Sequence, residues 1–224
     1  MNTVKVVEIK EDIRSRNNAQ ASEIRGSLLR RKIFFLNVMS SPGSGKTTFI
    51  VNLVNRLKND FSIGVIEADM DSDVDAATID ALTGVKTVQI HTAGACHLTC
   101  QMSREALDAL GIEGLDFVIL ENIGNLVCPA EFDTGATKNL VLLSVPEGDD
   151  KPLKYPLMFE VASAVAVTKT DVAPAFDFSV EQAKKNIRLR NADVPVFFIS
   201  AARDEGMDEV EDYIRKEIGK IKNA

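Results

Sequence analysis

The feature that most constrains this chain is a short apolar run, Ile33–Met39, that breaks into Ser40-Ser41-Pro42-Gly43-Ser44-Gly45-Lys46-Thr47-Thr48 and continues at once in a helical pattern. The run reads as a strand and the glycines mark a turn. Strand, glycine loop, Gly-Lys-Thr and helix is the context in which backbone N–H groups converge on phosphate oxygens, with the positive end of the helix dipole behind them. In that reading Lys46 reaches the β- and γ-phosphates and the Thr47 hydroxyl binds Mg²⁺, while Gly43, Ser44, Gly45 and Thr48 complete the cradle. Ser40 stands where the first glycine of such loops usually is, so Gly43 and Gly45 carry the backbone freedom. The alternative is a chance glycine turn, and the full Gly-x-Gly-Lys-Thr-Thr string in this context argues against it.

Around this loop, short apolar runs alternate with segments of helical period, the pattern of a parallel sheet covered by helices. The expected strands are Ile33–Met39, Ile63–Ala68, Thr87–Ile90, Phe117–Glu121, Asn139–Val145, Ala164–Thr168 and Val196–Ser200. Several are apolar on both faces, as in strands buried between two helical layers. Gly45–Leu57 and Leu98–Leu110 read as helices, and Met207, Val210, Ile214, Ile218 and Ile221 step by three and four along an amphipathic C-terminal helix. The fold class is therefore α/β: a three-layer P-loop NTPase fold with a mostly parallel central sheet flanked by helices. Residues 1–31 read as a partly helical N-terminal extension to a P-loop domain over 32–224. Ile9, Ile13, Ile24 and Leu28 can line one helix face there, but Asn17-Asn18 interrupts the pattern. Pro146–Pro156, with three prolines, reads as a long loop.

Thr168-Lys169-Thr170-Asp171 follows the sixth expected strand and resembles the Asn-Lys-x-Asp guanine-recognition motif of G proteins. A carboxylate at Asp171 accepts from both N1–H and N2–H₂ of guanine, whereas adenine presents an acceptor at N1. The Lys169 stem can lie over the base. Thr168 replaces the usual Asn, and Ser200-Ala201 resembles the short backbone motif that also touches guanine. Glu121-Asn122-Ile123-Gly124 occupies the place of an Asp-x-x-Gly motif, with Glu121 near a magnesium-bound water and Gly124 near the γ-phosphate. The second strand leads into Glu67, Asp69, Asp71, Asp73 and Asp75. Asp71 and Asp73 read as a solvated acidic loop, Asp69 as part of the magnesium shell and Asp75 as a candidate for orienting the attacking water. Asn125 follows Gly124 where Ras-like switches carry Gln, so slow intrinsic GTP hydrolysis is expected.

The formal charge of −7 argues against nucleic acid or an acidic membrane surface as the main partner. No apolar run approaches a membrane span and the first thirty residues are not signal-like, which makes the cytoplasm the expected compartment. The three cysteines, Cys96, Cys100 and Cys128, are too few for a disulfide framework and read as reduced thiols. Thiolate and imidazole suit zinc, nickel or copper, which makes Cys96, His97 and Cys128 metal-ligand candidates. Cys100, on a helix, is balanced between ligand and core residue.

Ser40–Thr48, Gly94-Ala95-Cys96-His97, Glu121-Asn122-Ile123-Gly124-Asn125-Leu126-Val127-Cys128-Pro129 and Lys151-Pro152-Leu153-Lys154-Tyr155-Pro156 together closely resemble the HypB family, the hydrogenase nickel-incorporation GTPases. The resemblance covers nearly everything from Phe34 onward and implies a G protein of the SIMIBI type. It implies a metallochaperone that uses GTP and Mg²⁺ and helps deliver nickel to [NiFe]-hydrogenase during maturation. It further implies a GTP-dependent homodimer with Cys96, His97 and Cys128 binding Ni²⁺ or Zn²⁺ at the interface. Its expected partners are the hydrogenase large subunit and a companion nickel-maturation accessory protein. Across such a dimer Lys151 and Lys154 either reach the partner's nucleotide or belong to a solvated loop. The rival readings are a urease-type nickel GTPase, a metal-binding or storage protein with structural nucleotide, and a partition-type ATPase, the last disfavoured by Asp171.

Overall fold

The computed structural model describes residues 9–70 and 72–224, with side chains from residue 14 onward. The chain opens with helix α1 (Ile9–Arg30) and then alternates through β1 (Phe34–Met39), α2 (Lys46–Leu57), β2 (Ile63–Asp69), α3 (Val74–Thr83) and β3 (Lys86–His91). It continues as α4 (Cys100–Leu110), β4 (Phe117–Glu121), the short α5 (Cys128–Glu131) and β5 (Lys138–Ser144). Two further short helices, α6 (Lys151–Lys154) and α7 (Pro156–Glu160), precede β6 (Ala164–Thr168), α8 (Val180–Arg188), β7 (Val196–Phe198) and α9 (Met207–Lys222). All seven strands expected from the sequence are present, β4 and β6 with the expected ends and the others shifted by a residue or two. They form one sheet in the order β3-β2-β4-β1-β5-β6-β7, and every neighbouring pair is parallel.

Strand parity sorts the core into two faces. Phe34, Leu36 and Val38 of β1 meet Phe49, Ile50 and Leu53 of α2, Ile79 of α3 and Val210 and Ile214 of α9. On the other face Phe35 packs with Ile24 and Leu28 of α1 and with Leu107 and Leu110 of α4. Farther along that face Val165 and Val167 of β6 lie under Phe159 of α7 and Ile187 of α8. Every residue of β1, β4 and β6 is buried, which explains their runs without polar alternation. Each large side chain buried this fully contributes about 1.5–3 kcal/mol.

Because the strands are parallel, all their carboxyl ends open on one edge, where ligands of doubly wound sheets bind. The phosphate loop leaves β1 in the middle of that edge, flanked by β4 and β5. Among the described residues, no helix is long and apolar enough to cross a membrane.

Several local expectations are corrected. Helix α1 runs unbroken through Asn17-Asn18, since Asn17 turns inward to tertiary partners. Ile24 and Leu28 lie on its buried face, while the side chains of Ile9 and Ile13 fall outside the described residues. The Pro146–Pro156 segment is not a loop but a 3₁₀ turn, Val145–Glu147, followed by α6 and α7. Each piece has a proline in its first turn, where a missing N–H costs nothing. Helix α4 starts later than expected because the Thr99 hydroxyl accepts from Met102 N–H as its N-cap. Ser200 lies beyond β7, in an isolated bridge to Glu205.

Candidate functional site

The phosphate loop adopts left-handed backbone at Gly43 (φ 72°) and Gly45 (φ 91°), with Gly45 capping α2. This conformation favours glycine and turns successive N–H groups toward one point. Ser40 is buried and needs no positive φ. Two neighbours hold the loop from outside. The Thr168 hydroxyl donates to Ser44 O at 2.7 Å, so the threonine that replaces asparagine ties β6 to the loop. Glu147 accepts from the hydroxyls of Ser41 and Ser44, the latter at 2.7 Å.

Lys169, itself at φ 59°, extends over the loop and donates from Nζ to Gly43 O at 2.7 Å. Ser44, Gly45, Lys169, Asp171, Ser200 and Ala201 line a small pocket of about 70 Å³ beside it. The Ser200 hydroxyl, with Arg203 at 3.4 Å, holds the Asp171 carboxyl below the usual range, so it is an acceptor at neutral pH. A flat ring with adjacent donors fits this arrangement of carboxylate and lysine stem.

On the other side of the loop, the Thr47 hydroxyl donates to Glu121 Oε1 at 3.1 Å. Glu121 is in register with Glu67 on β2, and ligand oxygens of Glu67, Asp75 and Glu121 all lie within 4.8 Å of one another. Glu67 and Glu121 are each 2% exposed, and the Oε2 atom of each is buried without a hydrogen-bond partner. Burial pushes the Glu121 carboxyl up to about 7 against the pull of Lys46. Burial and the neighbouring Glu121 push Glu67 up to about 8. Orphaned oxygens of hard donors beside a threonine hydroxyl are what Mg²⁺ requires, so these residues fit that ion.

Asp69 stands outside that trio, and its Oδ1 accepts from Ser72 N–H at 2.9 Å. Asp75 opens α3 and is exposed, as is Asp73, while Asp71 lies outside the described residues. Lys154 pairs with Asp150 at 2.5 Å and not with the phosphate loop.

Gly124 brings the turn after β4 against this loop. A β-carbon there would sit 2.9 Å from Pro42 Cα, so only glycine allows the approach. Asn125 N–H then donates to Ser40 O at 2.9 Å, and its Oδ1 accepts from Val127 N–H at 2.8 Å and Cys128 N–H at 3.4 Å. The Cys96 and Cys128 sulfurs are 2.9 Å apart, and Cys96 Sγ is 3.9 Å from His97 Nδ1. His97 stacks on Phe132 at 3.8 Å, and burial lowers its pKa, keeping a neutral imidazole. The hydrogen bond with Cys96, then burial, raises the Cys128 thiol. The sulfurs of Cys96 and Cys128 and a ring nitrogen of His97 do not all fall within 4.8 Å of one another, so these side chains would rearrange to share one ion. Cys100 is fully buried, donates to Asp133 O at 2.9 Å, and is pushed up to about 12, so it belongs to the core.

Sequence reasoning left Glu67, Asn125 and Glu147 without roles at this edge. A lone acid inside an otherwise apolar strand was the available signal for Glu67. Glu147 closes a local Ser144-x-x-Glu147 capping box and the Asn125 side chain bonds two and three residues ahead, but their contacts with the phosphate loop are tertiary and carry no local signal.

The protein-family model for the CobW/HypB/UreG nucleotide-binding domain matches residues 34–198. A hydrogenase/urease maturation factor HypB from Helicobacter pylori is 42% identical over 94% of this chain and 87% of its own length. The hydrogenase maturation factor HypB from Escherichia coli K12 is 41% identical over 93% of this chain and 72% of its own. The crystal structure of Helicobacter pylori HypB in complex with nickel superposes with a TM-score of 0.86 at 40% identity, covering 92% of this chain and 96% of that one. A LAO/AO transport system kinase, at 19% identity and TM-score 0.57 over 98% of this chain and 78% of its own, shares the fold alone.

Proposed function

The chain belongs to the CobW/HypB/UreG nucleotide-binding family, and from that premise we propose that it is a GTP-hydrolysing metallochaperone that assists nickel insertion into [NiFe]-hydrogenase during maturation. The observation that carries this reading is Asn125: one residue touches the phosphate loop through its N–H and the Cys128 backbone through its side chain. A change in the loop on GTP binding is thereby passed to a metal ligand.

Lys46 and the loop N–H groups bind the phosphates, and Lys169 and Asp171, with Ser200 and Ala201, select guanine. Thr47 and Glu121, with Glu67 beside them and Asp69 at the end of the same strand as Glu67, would hold Mg²⁺, which when bound would neutralise charge on the β- and γ-phosphates. Asp75 orients the attacking water, and Gly124 presents its N–H to the γ-phosphate. Cys96, His97 and Cys128 take Ni²⁺ or Zn²⁺ as cargo, leaving a tetrahedral site one ligand short. A second subunit completes it in a homodimer formed with GTP, in which Lys154 approaches the partner's nucleotide. Met70, Val74 and Val127, 50%, 65% and 50% exposed beside this edge, supply apolar surface for that contact. Hydrolysis then releases both partner and cargo to the hydrogenase large subunit and a companion accessory protein in the cytoplasm.

A second reading, delivery to urease, is favoured by the name of the Helicobacter pylori relative, a hydrogenase/urease maturation factor. Both readings require GTP turnover by this chain. The test is phosphate release from GTP by the wild type and by Lys46→Ala, together with mass in solution with GDP and with a non-hydrolysable analogue. Turnover reduced at least about 100-fold in the variant, and a dimer with the analogue only, are expected. Equal turnover, or one mass throughout, contradicts the proposal.

A further inference from the structure

Helix α1 turns one polar side chain into the protein. Asn17 is 6% exposed between exposed Arg16 and Asn18, and both ends of its carboxamide are used. Oδ1 accepts from the N–H of Cys100 at 2.9 Å, and Nδ2 donates to Asp133 O at 2.8 Å. These two partners lie on separate segments. Cys100 opens α4 just past Cys96 and His97, and Asp133 lies just past α5, which Cys128 begins.

Further contacts fasten the same join. The Cys100 thiol donates to the Asp133 carbonyl that Asn17 also holds. Along α1, Arg25 grips both oxygens of the Asp133 carboxylate at 2.7 Å and donates from Nε to Ala136 O at 2.9 Å. Arg14 pairs with Glu131 at 2.5 Å. The first N–H groups of a helix need acceptors, so an ordinary cap would account for the bond to Cys100. A cap leaves the donor end of the carboxamide unassigned, and here that end crosses to the second segment.

We propose that Asn17 is a positioning residue of the Cys96–His97–Cys128 site, a rivet that fixes the spacing of the two segments carrying its ligands. This deepens the metal-delivery reading and rests on it. The two segments meet at the sulfurs of Cys96 and Cys128, and Asn17 closes the loop between them from behind. Groups that orient metal ligands from outside change metal affinity by about 10–100-fold when removed. N-terminal helix and metal site are thereby one mechanical unit.

The experiment titrates Co²⁺ into the full chain and reads the thiolate charge-transfer and d–d bands, whose positions report ligand geometry. Asn17→Asp keeps the acceptor for Cys100 N–H, hence the cap, and loses the donor to Asp133. Asn17→Ala loses both. Glu23→Ala breaks the exposed ion pair from α1 to Arg104 on α4 and leaves Asn17 in place. The expected result is Co²⁺ affinity at least about tenfold weaker with shifted bands in both Asn17 variants, wild-type behaviour in Glu23→Ala, and unchanged GTP affinity in all three. Wild-type affinity and bands in Asn17→Asp would reduce the residue to a helix cap and overturn the inference while leaving the metal site intact. Equal weakening in Glu23→Ala would overturn it too, by tracing the effect to docking of α1. A wild type with no thiolate bands would remove the metal reading itself, and the inference with it.

Discussion

Gly124 and Pro42 are in contact so close that a β-carbon on Gly124 would fall 2.9 Å from both Cα and N of Pro42. The contact joins the phosphate loop to the segment that carries Cys128, with Asn125 N–H bonded to Ser40 O beside it. Gly124→Ala must push these two backbones apart. We expect about 1–3 kcal/mol of lost stability and about tenfold weaker binding of a GTP analogue, with GDP less affected. Denaturant unfolding and isothermal titration with both nucleotides check this. Equal loss for GDP and the analogue would mean that the turn does not sense the γ-phosphate.

In the proposed function guanine is selected by Asp171, whose carboxylate is held below the usual range beside Ser200 and Arg203. Removing a charged acceptor of two hydrogen bonds predicts a loss of about two to four decades in GTP affinity for Asp171→Ala. ATP binding should be unchanged in the variant. Competition of a fluorescent GTP analogue against GTP and ATP measures both, and an unaltered preference would move the base elsewhere.

The cysteines divide by environment. Cys128 and Cys96 are half-buried neighbours, whereas Cys100 is enclosed by α1 and Asp133. Cys128→Ala should lower nickel affinity by at least about tenfold, and Cys100→Ala should change stability more than nickel binding. The pH dependence has a definite sign. The Cys128 thiol lies above its ordinary value, so it is protonated at neutral pH, and an ion must displace that proton. Affinity therefore rises with pH, by about tenfold per unit for each thiol proton displaced. Nickel titration by calorimetry in buffers of different ionisation enthalpy counts the protons released, and a pH-independent affinity would exclude the thiols.

The sheet and the phosphate loop were legible because each is a local pattern: an apolar run of strand length, or glycines and Gly-Lys-Thr in fixed order. All seven strands fall where the apolar runs lie. The prolines at 146, 152 and 156 misled because proline both ends helices and starts them, and here each starts one. Glu67 stood out only as the one acid within its expected apolar strand, since its pairing with Glu121 arises from β2 lying beside β4, elements far apart in sequence. Asn17 read as an interruption of α1 for the same reason: its partners, Cys100 and Asp133, are set by the tertiary fold. Thr168 looked like a weakened guanine motif, and its hydroxyl instead ties β6 to Ser44 of the phosphate loop.

The central claim is that GTP and metal share one free-energy coupling through Asn125, and linkage makes that coupling reciprocal. The most direct measurement is the nickel affinity of the full chain loaded with GDP and with a non-hydrolysable GTP analogue, at one pH and ionic strength. A coupling of about 1–3 kcal/mol predicts nickel bound about 5–150-fold more tightly with the analogue, and the analogue bound more tightly by the same factor in the presence of nickel. Equal nickel affinities in the two nucleotide states would contradict the account, leaving a nucleotide site and a thiol pair that share an edge of the sheet without communicating.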